Sequence, residues 1–544
     1  MPREVSDHSL KQINRAYLSN LKEDELLGLS IKMLHDLKEA REQLNQNSSN
    51  SSKPPSSRPQ WEKTSSAGPE RSSSDSEDKT TDALAAPDKS IVTTDENHEE
   101  VTAPTHPEPQ EVKKAAVRRK PGKQVGAPGY GRTWCPPISV TINHQATHCA
   151  ACEAALGEAA THVSYTAFDS VDIEWGTPEC PGVSVIVTRH MLYDSICRCG
   201  HSTRARPYQH EADSNYPEVV LGEWRLIGPK LASLVVHLRF RWRLSVRRTQ
   251  ELLQELLGIP LSVGALHQCT EEAAAGAAPL EEKLVEELLA ESGTDLAALH
   301  ADETGWKEGN KLLWLWVFVT SLTVYFKIGR RSRETFNNVI GSAFEGWLMS
   351  DGYNVYRHYA KRLRCWAHLI RKARGLVESL DSEGGAFGKL TLDLMHYLET
   401  AIYAWREGGG VPGVTTDEIR TRYQQELAEF RRRCVDYSLS AHEKTAALAK
   451  EFLNDWDAIF RVIDHPWLPL TNNEAERSLR HWVILRYISH GTKTPTGSQA
   501  FALLASITAT CRLRGASSLA YLADVITAAR SGLTLPSLPL AVGV

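Results

Sequence analysis

Between residues 296 and 329 three β-prone runs follow one another on short connections: LAALHA, KLLWLWVFVT and SLTVYFKIG. Runs this rich in branched and aromatic residues read as three consecutive strands. A helical stretch at 332–340 leads to EGWLMSDGYNVY, a fourth, short strand that ends at Asp351 just before Gly352. The first run ends at Asp302, in the sequence Asp302-Glu303-Thr304-Gly305-Trp306. Two aspartates at the C-terminal ends of strands in one mixed sheet can lie side by side and bridge divalent metal ions through oxygen ligands. Alternation along the strand sends Asp302 and Glu303 to opposite faces, so only one of them can join Asp351. Taken singly, an aspartate at a strand end is an ordinary turn residue.

Just downstream, 357–374 carries seven Lys and Arg, among them Arg371 and Lys372, and no acid. A basic strip directly after an acidic pocket suits a site that holds metal and then binds a polyanion. Cys365 and His368 (CWAH) are spaced for a metal, but the Trp and Leu around them read as packing. The chain of 544 residues is long enough for two to four domains, and its 41% hydrophobic and 24% charged residues are an ordinary globular balance. No stretch nears twenty apolar residues, so no membrane span is expected, and the polar start MPREVSDHSLKQ does not read as a secretory signal. Ten cysteines, several in close pairs, suggest a reducing cytosol and a metal site more than a disulfide framework. The net charge of −5 hides an asymmetry: 70–111 holds twelve acidic and three basic residues, which leaves the remainder at about +4. The total therefore does not argue against nucleic acid.

Residues 20–46 are rich in strong helix formers, with Asn20 as a cap and Glu23 as its capping-box partner. Leu27, Leu34, Leu37 and Leu44 fall on heptad positions interrupted by Ser30 and Arg41. A short self-associating coiled coil fits better than a helix docked on its own chain, because the next segment gives it nothing to pack on. That segment, 46–112, is Ser, Pro, Asp and Glu with almost no aromatics, and it cannot bury enough surface to offset its ordering entropy. A disordered linker is expected. Residues 113–132, KKAAVRRKPGKQVGAPGYGR, hold seven basic residues, four glycines and no acid. They read as an extended arm that binds phosphates through residues such as Arg118, Arg119 and Lys120, with a solvated linker as the plain alternative.

Residues 138–203 read as short β-prone runs (138–142, 184–188, 191–196) broken by turns. Cys149-Ala-Ala-Cys152 opens the segment and Cys197-Arg-Cys199-Gly-His201 closes it. A CxxC knuckle far in sequence from a second cysteine pair is a common way to build tetrahedral zinc. The second half is CxC, so Cys197 and Cys199 could both bind or His201 could replace one; His148 and Cys180 are further candidates. The expectation is one structural Zn²⁺ on Cys149, Cys152, Cys197 and Cys199.

Residues 216–290 read as helical throughout. Within them one helix runs to about Leu257, Gly258 and Pro260 make a break, and a second helix begins near Ser262: a helix-turn-helix rhythm. Arg239, Arg241, Arg243, Arg247 and Arg248 precede or open the first helix and favour DNA contact over a hairpin that merely packs.

HADET, MSDGY, RCWAHLIRKA and TNNEAERSLR, in this order and spacing, resemble the DDE transposases of the insertion-sequence-66 family. The tail GTKTPTGSQAFALLASITATCRLRGASSLAYLADVI, the leucine-rich helix, the KPGKQVGAPGYG arm, the cysteine-rich segment and the central helical region fit the same pattern. The resemblance covers nearly the whole chain except the acidic linker. Two departures stand out: Thr471 replaces a more usual acid, and the second cysteine pair is contracted.

The resemblance implies a catalytic triad of Asp302, Asp351 and Glu476. It also implies a multidomain α+β chain with a ribonuclease H-like mixed α/β core. Its parts would be a leucine-rich helix or coiled coil (1–48), a disordered acidic linker (49–112), and a basic arm with a zinc-binding β segment (113–205). A helical DNA-binding domain (206–292) and the first part of the core (293–376) would follow, then a helical insertion (377–454) and the second part with the tail (455–544). The implied activity is binding of element ends, then cleavage and strand transfer with two Mg²⁺ ions on the carboxylates, Mn²⁺ being a substitute. Arg477 and Arg480 would contact phosphates. Implied partners are end and target DNA, further copies of the chain in a synaptic complex and accessory proteins of the element, in a bacterial cytoplasm beside the nucleoid and away from membranes. The competing reading is a zinc and helix-turn-helix regulator, or a domesticated element with an inactive core. The presence of all three carboxylates weighs against it.

TNNEAER offers both Glu474 and Glu476. Residues two apart on a helix differ by about 200°, so one metal pair cannot use both. Ala475, Leu479 and Trp482 pack the helix down with a glutamate on either side, so local geometry does not choose. The family's N-x-x-E-R register selects Glu476. An ion pair from Glu476 to Arg480 is the plain structural alternative.

Overall fold

The computed structural model describes residues 22–45, 134, 136–157, 160–177, 179, 181–205, 226–379 and 381–541. The acidic linker and the basic arm with Arg118, Arg119 and Lys120 lie outside the described residues, as do Asn20 and Cys180. Helix α1 (Glu23–Asn45) is the leucine-rich helix, and its Leu27, Leu34 and Leu37 are more than half exposed.

Strands β1 (Val140–His144), β2 (Thr161–Trp175), β3 (Val183–Ile196) and β4 (Ser202–Arg204) make one sheet in the order β1-β3-β2, with β4 also on β3. Two of the short runs expected here, 184–188 and 191–196, are one strand of 14 residues, β3; the run 138–142 is β1, shifted by two residues, and the 15-residue β2 was not among the expected runs. No turn interrupts β3 at its polar centre. Arg189 makes a 2.8 Å ion pair with Asp169 on β2, and the His190 ring stacks on both Phe168 and His144. Polar residues that find cross-strand partners stay in the ladder.

The helical region is α2 (Pro229–Phe240), α3 (Val246–Leu257), α4 (Val263–Ala277) and α5 (Leu280–Ser292), with 216–225 outside the described residues. The helix-turn-helix rhythm is in place. Gly258 ends α3 with φ +66°, a left-handed cap that suits glycine, while Ser245 and Ser262 cap α3 and α4 by accepting from the Arg248 and Ala265 amides.

The central sheet holds β5 (Ala298–Glu308), β6 (Lys311–Val319), β7 (Val324–Gly329), β8 (Trp347–Ser350) and β9 (Arg362–Arg364), in the order β7-β6-β5-β8-β9. β5, β6 and β7 are antiparallel neighbours; β5–β8 and β8–β9 are parallel. Helix α6 (Arg333–Ile340) covers one face, where Phe336 packs on Trp316 and Phe318. Helices α13 (Asn473–Ser489) and α14 (Pro495–Leu513) cover the other, where Trp482 and Phe501 meet Phe326 and Trp306. The sheet is buried on both faces because its strands carry aromatics on both. Asp302 is mid-strand in β5, not at a strand end as expected, because pairing with β6 runs on from His300 to Glu308.

After α7 (Trp366–Val377) come α8 (Ser382–Glu407), α9 (Glu418–Arg422), α10 (Gln424–Tyr437), α11 (Glu443–Asn454) and α12 (Trp456–Phe460), with Phe387, Phe430, Phe452 and Phe460 fully buried among them. Helix α15 (Ser518–Ser531) packs on α2 and α4. Asp455, 1% exposed, ties the end of α11 to β9 through Arg362 at 2.5 Å and Arg364 at 3.2 Å. Removing one member of a buried charge cluster strands the others without water. Asp455→Ala should therefore cost about 3–5 kcal/mol, read as a lower urea midpoint. A loss under about 1 kcal/mol would show that water reaches the arginines.

Candidate active site and metal centre

The parallel pairing of β5 and β8 sets the first part of the site. Its register matches His300 with Met349. Continued two residues past that register, the alternation brings Asp302 and, just beyond the end of β8, Asp351 to one face, while Glu303 turns to the other. Asp302 accepts from the Glu303 amide at 2.8 Å and Asp351 from the Tyr353 amide at 2.8 Å. Burial, then repulsion from Asp351 and Glu303 and, least, from Glu476, holds the Asp302 carboxyl well above the usual range. Asp351 and, more weakly, Glu476 thus act electrostatically on Asp302.

Glu476 reaches that centre because α13 is pinned at its start. Asn472, fully buried, donates from its side chain to the Ala301 carbonyl at 2.7 Å and meets His300 Nδ1 at 3.1 Å. Its amide donates to the Cys365 thiol at 3.2 Å, and the Trp366 amide donates to the Leu470 carbonyl at 2.9 Å. These bonds lock the start of α13 between β5 and α7. Glu476, one turn later, faces inward and accepts from Arg371 at 3.1 Å. Glu474 faces outward and pairs with Arg477 at 3.1 Å. Glu476 pairs with Arg371 of another helix, and the i,i+4 pair with Arg480 does not form.

Among the described residues, two sets of three or more metal-ligand atoms lie within 4.8 Å of one another: Cys149, Cys152, Cys197 and Cys199, and the group Cys365, His368 and Glu476. Asp302, Asp351 and Glu476 are not a third such cluster. Their donors are all oxygen, and the repulsion that raises Asp302 is the kind that a divalent cation relieves, so the donor chemistry, though more spread than those two clusters, suits Mg²⁺. Burial and then Arg371, Lys372 and Arg364 push His368 down to about 3, so a neutral imidazole stands beside Glu476. Sequence reasoning missed Asn472, whose only signal was a paired asparagine, and gave CWAH no place at the site.

On the opposite face Glu303 is buried, accepting from Arg331 at 2.7 and 2.9 Å and from the Tyr356 hydroxyl. Arg331 lies over the Trp314 and Tyr353 rings. This network backs the strand that carries Asp302.

The four cysteines come together as the sequence suggested. Sγ of Cys149 is 3.7 Å from Cys199, and Sγ of Cys152 is 3.6 Å from Cys197. The contracted pair works because the Cys197 amide donates to His201 O and the Gly200 amide returns to Cys197 O, with Gly200 at φ +85°. His201 and His148 stay out of the cluster. The amides of Ala151 and Cys152 pull the Cys149 thiol down to about 6, while, against the Ala154 amide, Cys199, Cys197 and Cys149 push Cys152 up to about 12. Four crowded sulfurs cannot all ionise without a cation, and the donor set fits zinc. Among the described residues the local core is Cys149, Leu156 and Cys197, with Ala146 and Ala160 against it, too small to hold the knuckles by itself.

The arginines singled out for DNA have varied surroundings. Arg247 and Arg248 are exposed on α3, with Arg248 paired to Glu251 at 2.7 Å. Arg477 and Arg480 are exposed on α13. Arg371 is 9% exposed and turned to Glu476, and Lys372 pairs with Glu451 at 2.7 Å, so both face acids of their own chain.

Residues 225–500, just over half of the chain, match the family model described as Transposase IS66 family. The chain belongs to the IS66 transposase family. All three carboxylates fall inside the matched region, and the four cysteines fall outside it. The chain is also similar to two proteins of Sinorhizobium fredii (strain NBRC 101917 / NGR234). Uncharacterized protein y4jD is 26% identical over 223 residues, 38% of this chain and 42% of that protein. Uncharacterized protein y4qI is 23% identical over 245 residues, 40% of this chain and 44% of that protein. The chain spans less than half the length of the curated relatives it matches. Among the described residues of this IS66 family member, no helix is long and apolar enough to cross a membrane.

Proposed function

We propose that this chain binds the ends of an insertion element and catalyses metal-dependent strand cleavage and strand transfer, with Asp302, Asp351 and Glu476 as its catalytic carboxylates. The observation that carries the reading is the β5–β8 register, which sets Asp302 beside Asp351 on the face to which Asn472 delivers Glu476. The order β7-β6-β5-β8-β9, three antiparallel strands followed by two parallel ones, supports a ribonuclease H-like core. The three carboxylates would hold two Mg²⁺ ions, which when bound activate the attacking hydroxyl and stabilise the leaving oxygen. Asn472 fixes the direction of Glu476, and Arg371 steadies its carboxylate between turnovers. The Glu303–Arg331–Tyr356 network keeps β5 rigid under the repulsion at Asp302. Arg247, Arg248, Arg477 and Arg480 offer exposed charge to phosphates, and the exposed leucines of α1 support self-association in a synaptic complex. Accessory proteins of the element and a cytoplasmic setting beside the nucleoid complete the proposal.

Incubating purified protein with labelled element-end DNA in Mg²⁺ or EDTA tests it. Nicked and joined products in Mg²⁺ alone are expected; binding with no products would leave a DNA-binding regulator. For the cysteine module the expected result is about one zinc per chain, lost in Cys149→Ser, and chelation that exposes residues 140–203 to proteolysis before the central sheet. Freshly purified protein without zinc would refute it.

A further inference from the structure

Trp242 lies in the short loop between α2 and α3 and is 64% exposed. A lone exposed aromatic needs no explanation. This one has an unusual setting. Arg241 and Arg243 flank it, and Arg243 holds φ +60°, one of three non-glycine residues in the left-handed region among those described. Such a backbone is strained for a residue with a β-carbon and persists only where its surroundings impose it.

The surroundings do impose it. The Arg241 and Trp242 amides both donate to the His237 carbonyl, at 2.8 and 3.3 Å, and the Leu244 amide donates to Leu238 at 3.0 Å. From α13, the His481 ring donates to the Phe240 carbonyl at 2.7 Å, and Phe240 packs against Trp482 and Phe501. The loop is therefore fastened to the helix that carries Glu476. His481 follows Glu476 by five residues, about 7.5 Å along the axis.

The charge around this loop is one-sided. Burial, opposed by the Phe240 carbonyl and reinforced by the charges of Arg243, Arg512 and Arg241, pushes His481 down to about 4. Among the described residues no ion pair engages Arg241, Arg243 or Arg512, and Glu474, the acid that acts on Arg512, is already paired with Arg477.

We propose that Trp242 stacks on an unpaired nucleobase of the DNA substrate while Arg241, Arg243 and Arg512 hold the flanking phosphates. The inference rests on the transposase reading for the presence of DNA near Glu476. Paired bases inside a duplex keep their faces covered by their neighbours, so only a frayed or single-stranded stretch offers a face to the indole. Stacking of this kind is sequence-tolerant and adds about 1–3 kcal/mol per base. A protein partner would also value an exposed Trp beside arginines, but three arginines with no ion pair among the described residues leave a net positive patch, which favours a polyanion. A strand frayed at Trp242 would lie beside a loop bonded to the helix that carries Glu476.

The test is fluorescence anisotropy of full-length protein with a labelled oligothymidylate and with a blunt duplex of the same length. Trp242→Ala should weaken oligothymidylate binding about 5- to 150-fold and duplex binding less than about twofold, while Trp242→Phe keeps most of the affinity. Arg243→Gly, which suits the left-handed backbone, should weaken both probes and lower the salt slope by about one. Unchanged oligothymidylate binding in Trp242→Ala, or equal losses on both probes, would overturn the proposal. So would a change of oligomeric mass in sedimentation without loss of oligothymidylate affinity, which would mark a protein interface. Binding of these probes does not require cleavage, so a failed cleavage assay on end DNA would strike the transposase chemistry and leave this result standing.

Discussion

Asp302→Asn and Asp351→Asn should abolish strand cleavage, by at least about 10²–10³-fold, while end binding stays within about twofold. On the proposed function, binding draws on arginines spread over α3 and α13, whereas the chemistry needs both carboxylates. Asp302→Asn should also melt at a higher temperature than the parent chain in EDTA at neutral pH. The sign follows from the raised carboxyl of Asp302, set by burial and then by Asp351 and Glu303. An acid whose folded pKa lies above its unfolded value imposes no cost below the unfolded value. The cost grows as pH rises from there and is complete above the folded value. The stability advantage of Asp302→Asn should therefore shrink toward pH 4 and be largest near neutrality. Mg²⁺ should close the gap, because a bound cation relieves the repulsion in the parent chain and has little to relieve in the variant. Thermal melts at both pH values, with EDTA or Mg²⁺, check this. Equal melting in EDTA at neutral pH would mean that the carboxylates do not share a site.

Glu476→Gln should eliminate cleavage with the fold intact, and Glu474→Gln should retain most of it. Glu476 lies on the inner face of α13 beside Cys365 and His368, and glutamine can still accept from Arg371. Its loss of stability should be near 1 kcal/mol. Glu474 is half-exposed and makes only an i,i+3 pair with Arg477, worth about 0–1 kcal/mol. Circular dichroism and cleavage of end DNA in both variants decide between them. Full cleavage by Glu476→Gln and none by Glu474→Gln would move the third carboxylate by two residues.

Much of this was legible in local sequence. The strand runs around Asp302 and Asp351, the break at Gly258 and the two cysteine pairs each announce themselves within a few residues, since periodicity, turn chemistry and ligand spacing are local properties. Other readings failed where partners decide the outcome. The runs 184–188 and 191–196 read as separate strands broken by a turn; Asp169, Phe168 and His144, from two other strands, keep the intervening Arg189 and His190 in the ladder. Asp302 looked like a strand end because the apolar run stops there, yet pairing with β6 continues to Glu308.

The sequence by itself determined that two aspartates stand at or near strands, that one of two glutamates follows on a helix, and that four cysteines come in two knuckles. Only the tertiary structure decided which faces meet. The parallel register of β5 and β8 is set by side chains more than forty residues apart, and the turn of α13 is set by Asn472 bonding to a strand 171 residues earlier. The same holds for Arg371, which from sequence belonged to a basic strip for DNA and in the fold is buried against Glu476. A side chain's charge is written in the chain, but the group it faces depends on long-range packing, which no local pattern encodes.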